Sequence, residues 1–228
     1  MRQAVLAVTN QADFMSAYAG DPQNWKVCAS FFTCGTPMSS NAGAEVMTGK
    51  RDFDKARKLI AEAGYKGEKV IVLDAVDQPL ILAEALVTAD LLKNLGIDFE
   101  IAASDWGTLV TRRASKKPPA EGGWNIFCTG WVGADLLDPT LNVMLRANGD
   151  GAWFGWPKDD ILEELRTQWL KASDSEARQE IAVKIQQRAF ETVPYIPTGQ
   201  WTDKTAYRKN IKGVIAAPPF LMWNVEKV

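Results

Sequence analysis

Asp135 and Asp138 stand three residues apart in WNIFCTGWVGADLLDP, residues 124–139, just past Gly130-Trp131 and just before Pro139. A carboxylate beside an indole plate, mounted at the end of an apolar run, suits a ligand with a planar or apolar body and a positive charge. Loops on a rigid scaffold carry binding residues, and pockets combine apolar walls with a few placed polar groups. Two other readings stand beside this one. Trp131 can be ordinary core, with Asp138-Pro139 opening a turn or a helix. Asp135 and Asp138 can also form the acid/base pair of a carbohydrate-active enzyme or glycan-binding module, with tryptophans as sugar platforms, since glycosidase carboxylates lie roughly 5–9 Å apart across a groove. The loop GAWFGWP, residues 151–157, adds Trp153, Phe154 and Trp156, which either line the mouth of a cleft or seal the protein's own core.

The chain has no histidine. That removes the commonest general base, every Ser-His or Cys-His nucleophile and the usual zinc and copper sites. No cofactor or metal motif is read. Lys and Arg total 26 against 28 Asp and Glu, a net charge of -2, so there is no electrostatic footprint for a nucleic acid or an anionic membrane. The cluster Arg112, Arg113, Lys116 and Lys117 is isolated in this balanced chain and reads as a solvated loop. No apolar run reaches the roughly 20 residues that span a bilayer. MRQAVLAVTNQ has one early Arg, but Thr9-Asn10-Gln11 cuts its apolar stretch short of a signal peptide. That leaves a cytoplasmic chain or one that has lost its N-terminus. Of three cysteines, Cys128 sits in a strand-like run and reads as packing. Cys28 and Cys34 bracket ASFFT, and spacing allows either a small disulfide ring or two buried thiols.

The elements that must position these residues follow from hydrophobic period. With 228 residues, 46% of them hydrophobic, the chain can bury a real core. Residues 1–19 read as a short helix with Ala4, Val5, Val8 and Ala12 on one side. Residues 20–50 are irregular, and so long a segment is normally functional or packed against something. Phe53, Ala56, Ile60 and Ala63 share a helical face that stops at Gly64. A strand over 69–74, a helix over 80–95 ending at Gly96 and an alternating strand over 97–102 make a βαβ unit with parallel strands. A short helix over 105–113, a loop and a strand over 124–131 follow. Helices are expected at 159–171 and 176–192, the second behind a capping box of Ser173 and Glu176. Pro194 and Pro197 make 194–202 an edge strand. A short strand at 211–215 and the tail FLMWNV finish the chain. The fold class expected is α/β, a mixed sheet flanked by helices, with strands 69–74, 97–102 and 124–131 at its centre.

Four segments in this order resemble a known family. RQAVLAVTNQ is similar to a helix that opens one lobe of that family, with Asn10-Gln11 in place of the usual Asp-Arg/Lys pair. FDKARKLIAEAGYKG matches a helix with its Ala-Gly-Tyr stop, GWVGADLLDP a Gly-Trp, acidic, Asp-Pro signature, and ETVPYIPTG with AYRKNIKGV a strand pair near the C-terminus. The chain thus resembles, over nearly all its length, the C-terminal lobe of the dipeptide- and oligopeptide-type (family 5) solute-binding proteins of ABC importers. The resemblance implies one lobe of a two-lobed, class II-like periplasmic binding fold, with no catalysis. Residues 20–50 would be a cleft or interlobe segment, and 213–228 an arm returning toward an N-terminal lobe. It implies a periplasmic or extracytoplasmic location, a natural start and signal peptide upstream of Met1, and an oxidising compartment in which Cys28 and Cys34 pair. The partners implied are a peptide or other small-molecule ligand, the membrane permease subunits and the chain's own N-terminal lobe. By position, Asp135 takes the role of the acidic residue that pairs with a ligand α-ammonium group and Trp131 that of a pocket wall, with one extra residue between them relative to the family pattern. Trp153 and Trp156 join them as candidate ligand-binding residues.

Overall fold

Polar Thr9-Asn10-Gln11 splits the first apolar stretch in the computed structural model, which describes residues 1–217 and 219–228. Helix α1 (Arg2–Val8) ends where Thr9 turns to extended backbone, and α2 (Gln11–Ala19) begins under Asn10, whose side chain accepts from the Ala12 amide at 2.8 Å. The single helix expected over 1–19 is therefore two, because a short polar side chain at a helix start takes over an amide that has no partner inside the helix. The chain continues through β1 (Trp25–Lys26), the irregular segment, α3 (Glu45–Thr48) and α4 (Phe53–Glu62), which buries Ala56 and Ile60 as its period requires.

The βαβ unit forms as expected. Strand β2 (Val70–Ala75), helix α5 (Pro79–Leu95) and β3 (Phe99–Ser104) follow one another, with β2 and β3 parallel in register from Val70 opposite Phe99 to Ala75 opposite Ser104. The second strand starts two residues later than its alternation suggests. Gly96 takes a left-handed conformation (φ 74°), its amide donates to the Lys93 carbonyl, and the Ile97 amide donates back to that of Leu92, both at 3.0 Å. This Schellman closure uses Ile97, which is buried, to finish the helix.

Helix α6 (Trp106–Arg112), capped by Asp105, leads to β4 (Ile126–Phe127), which lies on the other side of β2, again parallel. The strand expected over 124–131 is thus only two residues long. Asn125 replaces one ladder bond with its side chain, its Oδ1 accepting from the Ile71 amide at 2.8 Å. Beyond Phe127 the chain leaves the sheet, and a Cβ at Gly130 would lie 2.6 Å from Leu80 and 2.8 Å from Trp201. Any larger residue there would have to displace those two side chains.

The remaining helices, α7 (Asp160–Lys171) and α8 (Ser175–Thr192), pack on each other. The cap of α8 is Asp174, accepting from the Ala177 amide at 2.9 Å, and not Ser173, whose hydroxyl donates to Asp174 instead. Segment 194–202 is not an edge of the main sheet. Only β5 (Gln200–Trp201) is strand, and it pairs antiparallel with β1. A last ladder, β6 (Ile211–Lys212) with β7 (Glu226–Lys227), is also antiparallel. The architecture is α/β, with the three-stranded sheet β3-β2-β4 wholly parallel and antiparallel pairing confined to two separate ladders.

Strand β2 is buried on both faces. Val72 packs with α1, α2, α4 and α5, while Ile71, Leu73 and Ala75 meet Ile81 and Leu109. A third cluster joins α7 and α8 to Phe31 and Phe32 of the irregular segment, each 1% exposed. Two carboxyls are sunk at the end of β2. Glu84 of α5 accepts from the Thr198 hydroxyl at 2.7 Å, but its other oxygen and one oxygen of Asp74 have no partner. Burial raises the Asp74 carboxyl and pushes Glu84 up to about 7.

The folded state therefore holds a proton on Glu84 that the unfolded chain, with an ordinary value of 4.5, has released. Stability is fully present below that value and lost as pH rises through 7. Between about pH 4.5 and pH 8 this one group should remove about 3 kcal/mol, and Glu84→Gln should abolish that part of the slope. Urea titrations of both proteins across the window check this, and identical pH slopes would contradict it.

Candidate functional site

The loop that follows β4 is built from short turns. After Gly130 and half-buried Trp131 comes a 3-10 turn, Gly133–Leu136, followed by a turn closed by Asp138. The Asp138 carboxylate is committed to its own backbone. Its Oδ1 accepts from the amides of Thr140 (2.7 Å) and Leu141 (3.0 Å) and from the Thr140 hydroxyl (2.6 Å). No helix follows directly, so Asp138 closes a turn rather than a helix. Asp135 differs. It is exposed on the 3-10 turn, outside every ion pair of the described residues. One carboxylate is structural and the other is free. That arrangement fits a charge presented to a ligand better than an acid/base pair.

The turn bearing Asp135 is fixed from outside. The Thr33 hydroxyl donates to the Gly133 carbonyl at 2.6 Å, and the Thr33 amide donates to that of Leu136 at 3.0 Å. Thr33 lies inside the ring closed by the Cys28–Cys34 disulfide, whose Cα atoms are 5.8 Å apart. The pairing the family resemblance implied is therefore present. Farther along, fully buried Asn142 donates to the Phe31 carbonyl at 2.8 Å and to the Tyr195 hydroxyl at 2.9 Å. The segment 28–44, irregular in sequence, is tied to α8 by Gln186, which accepts from the Ser30 hydroxyl at 2.6 Å and donates to the carbonyls of Ser40 and Ala42.

The tryptophans gather into one aromatic wall. Trp131 and Trp153 meet edge to face with centroids 5.6 Å apart, and Phe127 joins Trp153 at 5.3 Å. Trp156 lies instead against Trp124, at 6.1 Å, with Lys116 above its ring at 5.0 Å. The structure thus brings Trp131 and Trp153 together and sets Trp156 at the far side of the wall. The Trp131 indole nitrogen is buried without a partner. The wall gains area from offset and edge contacts beyond simple burial.

The basic cluster is not one solvated patch. Lys117 is exposed, but the Arg113 guanidinium lies over Phe154 at 4.6 Å and within 6 Å of Trp106, Phe127 and Trp153. Arg112 donates to the carbonyls of Gly122 and Gly123. A guanidinium is planar and weakly hydrated, so aromatic faces hold it better than they hold an ammonium. Thr33 and Arg113 are the two positions that sequence reading missed here. For Arg113 the signal was an arginine in a chain unusually rich in tryptophan; for Thr33 there was none.

Among the described residues, no cluster of His, Cys, Asp and Glu is arranged to hold a metal, and no helix is long and apolar enough to cross a membrane. Cys128 is a free thiol, 3.7 Å from the Thr88 hydroxyl, held protonated by burial and by Glu84.

Comparison with known proteins gives a consistent picture. The profile of the bacterial extracellular solute-binding proteins, family 5 (middle region), matches residues 1–153. A probable peptide ABC transporter periplasmic-binding protein of Sinorhizobium fredii is 36% identical over 226 residues, covering 99% of this chain and 43% of that protein. The periplasmic oligopeptide-binding protein OppA of Salmonella typhimurium is 25% identical over 171 residues, 73% of this chain and 30% of OppA. The chain therefore spans less than half the length of these relatives. Among solved structures, the Escherichia coli murein tripeptide binding protein MppA superposes with a TM-score of 0.75 at 18% identity, over 94% of this chain and 42% of MppA. AgaA of A. tumefaciens, solved with agropinic acid, gives 0.73 at 17% identity, over the whole of this chain and 47% of its own.

The Arg113 contacts generate a prediction. Arg113→Ala should lower stability by about 2 kcal/mol through lost cation–π contact and stem packing, and flatten the near-ultraviolet circular dichroism of the aromatic wall. Lys117→Ala should do neither. Equal stabilities in denaturant would show that Arg113 merely rests on the surface.

Proposed function

This chain belongs to the bacterial extracellular solute-binding proteins of family 5, and we propose that it forms the C-terminal lobe of such a protein. The family is one of solute-binding proteins, not of enzymes. In this reading the whole protein works outside the cytoplasm, in the periplasm, captures a peptide or peptide-like solute between two lobes and hands it to the permease subunits of an ABC importer. The observation that carries the reading is an exposed carboxylate outside every ion pair of the described residues, Asp135, on a turn held by Thr33 of the disulfide ring, in the same loop as Trp131, which packs on Trp153. Inside a closed cleft such a carboxylate forms charge-assisted hydrogen bonds with an ammonium group, and an indole face adds apolar area. Trp156 packs instead against Trp124.

The exposed tail fits the same picture. Phe220, Met222 and Trp223 are 62%, 63% and 71% exposed, an apolar surface that an N-terminal lobe would cover.

In the complete protein, Asp135→Asn should cost roughly 2–5 kcal/mol of affinity for a peptide with a free amino terminus, as when one partner of a buried charge pair is removed. Asp138→Asn should leave affinity nearly unchanged, and the 228-residue chain alone should bind weakly for want of the opposing wall. Isothermal titration calorimetry on these proteins decides it. Unchanged affinity in Asp135→Asn would place this carboxylate outside the site.

A further inference from the structure

Thr33 carries no charge, yet it bonds both ends of the turn that presents Asp135. Its hydroxyl takes the Gly133 carbonyl and its amide takes that of Leu136, and a Cβ at Gly133 would already lie 3.3 Å from the threonine side chain. Within the turn the Asp135 amide bonds only back to Val132. The tilt of the turn against the rest of the lobe is therefore set from Thr33.

Thr33 is itself held on every side. Cys28 and Cys34 close the ring around it, Phe31 and Phe32 are sunk in the core, and its own carbonyl accepts from the Thr36 hydroxyl at 2.6 Å and the Thr36 amide at 3.2 Å. Gln11 takes both the amide and the carbonyl of Cys28, at 2.6 and 2.8 Å. A rigid group that fixes a functional side chain through its backbone acts as the outer supports of a metal ligand do.

We propose that Thr33, locked in the Cys28–Cys34 ring, is the positioning residue that aims the Asp135 carboxylate at the amino terminus of a bound peptide. This rests on the assignment of Asp135 as the ammonium partner. It adds a determinant of selectivity: discrimination between a free and a blocked amino terminus depends on a hydroxyl that does not touch the ligand.

The test uses the complete protein and equilibrium dialysis against an equimolar pool of tri- to pentapeptides, half of them N-acetylated, with the captured fraction read by mass spectrometry. Thr33→Val keeps the branched shape and removes the donor, so capture of free-amine peptides should fall about ten-fold while N-acetylated capture holds. Thr33→Ser restores the donor and should return capture to within about two-fold of the starting protein. If Asp135→Asn abolishes the preference for free amines but Thr33→Val keeps it, the positioning role is overturned and the Asp135 assignment stands. If Asp135→Asn leaves the preference intact, or the unaltered protein takes up no free-amine peptide, the assignment fails and the positioning role with it. Equal loss of both peptide classes in Thr33→Val, or no recovery in Thr33→Ser, would make Thr33 a folding residue only.

Discussion

Cys28 and Cys34 close a ring whose residues are divided between two tasks. Phe31 and Phe32 point into the core against α8, while Thr33 faces the acidic turn. In the chain-entropy description so short a ring contributes only about 2 kcal/mol, so its larger effect is local: it fixes which side chains face inward and which outward. The acidic loop has no strand or helix to hold it after Phe127. It borrows its order from this ring, through Thr33 at one end and through the Phe31 carbonyl and Asn142 at the other.

The same economy of amide side chains runs through the irregular segment. Buried backbone must find hydrogen-bond partners, and a loop without a ladder cannot supply them itself. Gln11, Asn142 and Gln186 each offer a donor and an acceptor on one neutral group, which suits them to bridge loop backbone without burying charge. Gln11 grips Cys28 and the Pro197 carbonyl, joining the ring to the strand that returns beside β1. Gln186 grips Ser30 and residues 40 and 42, joining the ring to α8. The loop is ordered by three amides and one disulfide.

At the carboxyl ends of the parallel strands the chemistry changes from burial to presentation, as is usual for ligand sites in open α/β sheets. Asp74 and Glu84 lie sealed beneath that edge, their carboxyls raised by burial. Asp135, in the loop that follows β4, is exposed, and the Arg113 guanidinium lies over the Phe154 ring of the aromatic wall. Acidic groups of one kind are thus sorted by depth, two buried and one exposed.

Much of this was legible in the sequence, because local period is written in neighbouring residues. The 3.6-residue stripe of α5, the β-branched run of β2 and the Gly96 stop define the βαβ unit without reference to anything distant. The absence of histidine removed the commonest general base, the balanced charge gave no footprint for a nucleic acid, and the Gly-Trp…Asp-Pro segment was one of four that carried the family resemblance. Tertiary structure decided much of the rest, where the deciding partner lies far along the chain. The run 124–131 looked like a full strand, but only Ile126 and Phe127 pair with β2. Pro194–Thr202 looked like an edge of the main sheet, but its last residues pair with Trp25 and Lys26. The two aspartates were distinguished in sequence only by Pro139 after Asp138 and by the position of Asp135 in the family pattern. Asp138 is consumed by the amides two and three residues ahead, whereas Asp135 is left free by a turn that Thr33, 100 residues away from Gly133, holds in place. Sequence determined which residues were able to carry charge in this loop, and the folded turns decided which carboxylate stays exposed, since that depends on backbone geometry and on a partner 100 residues away.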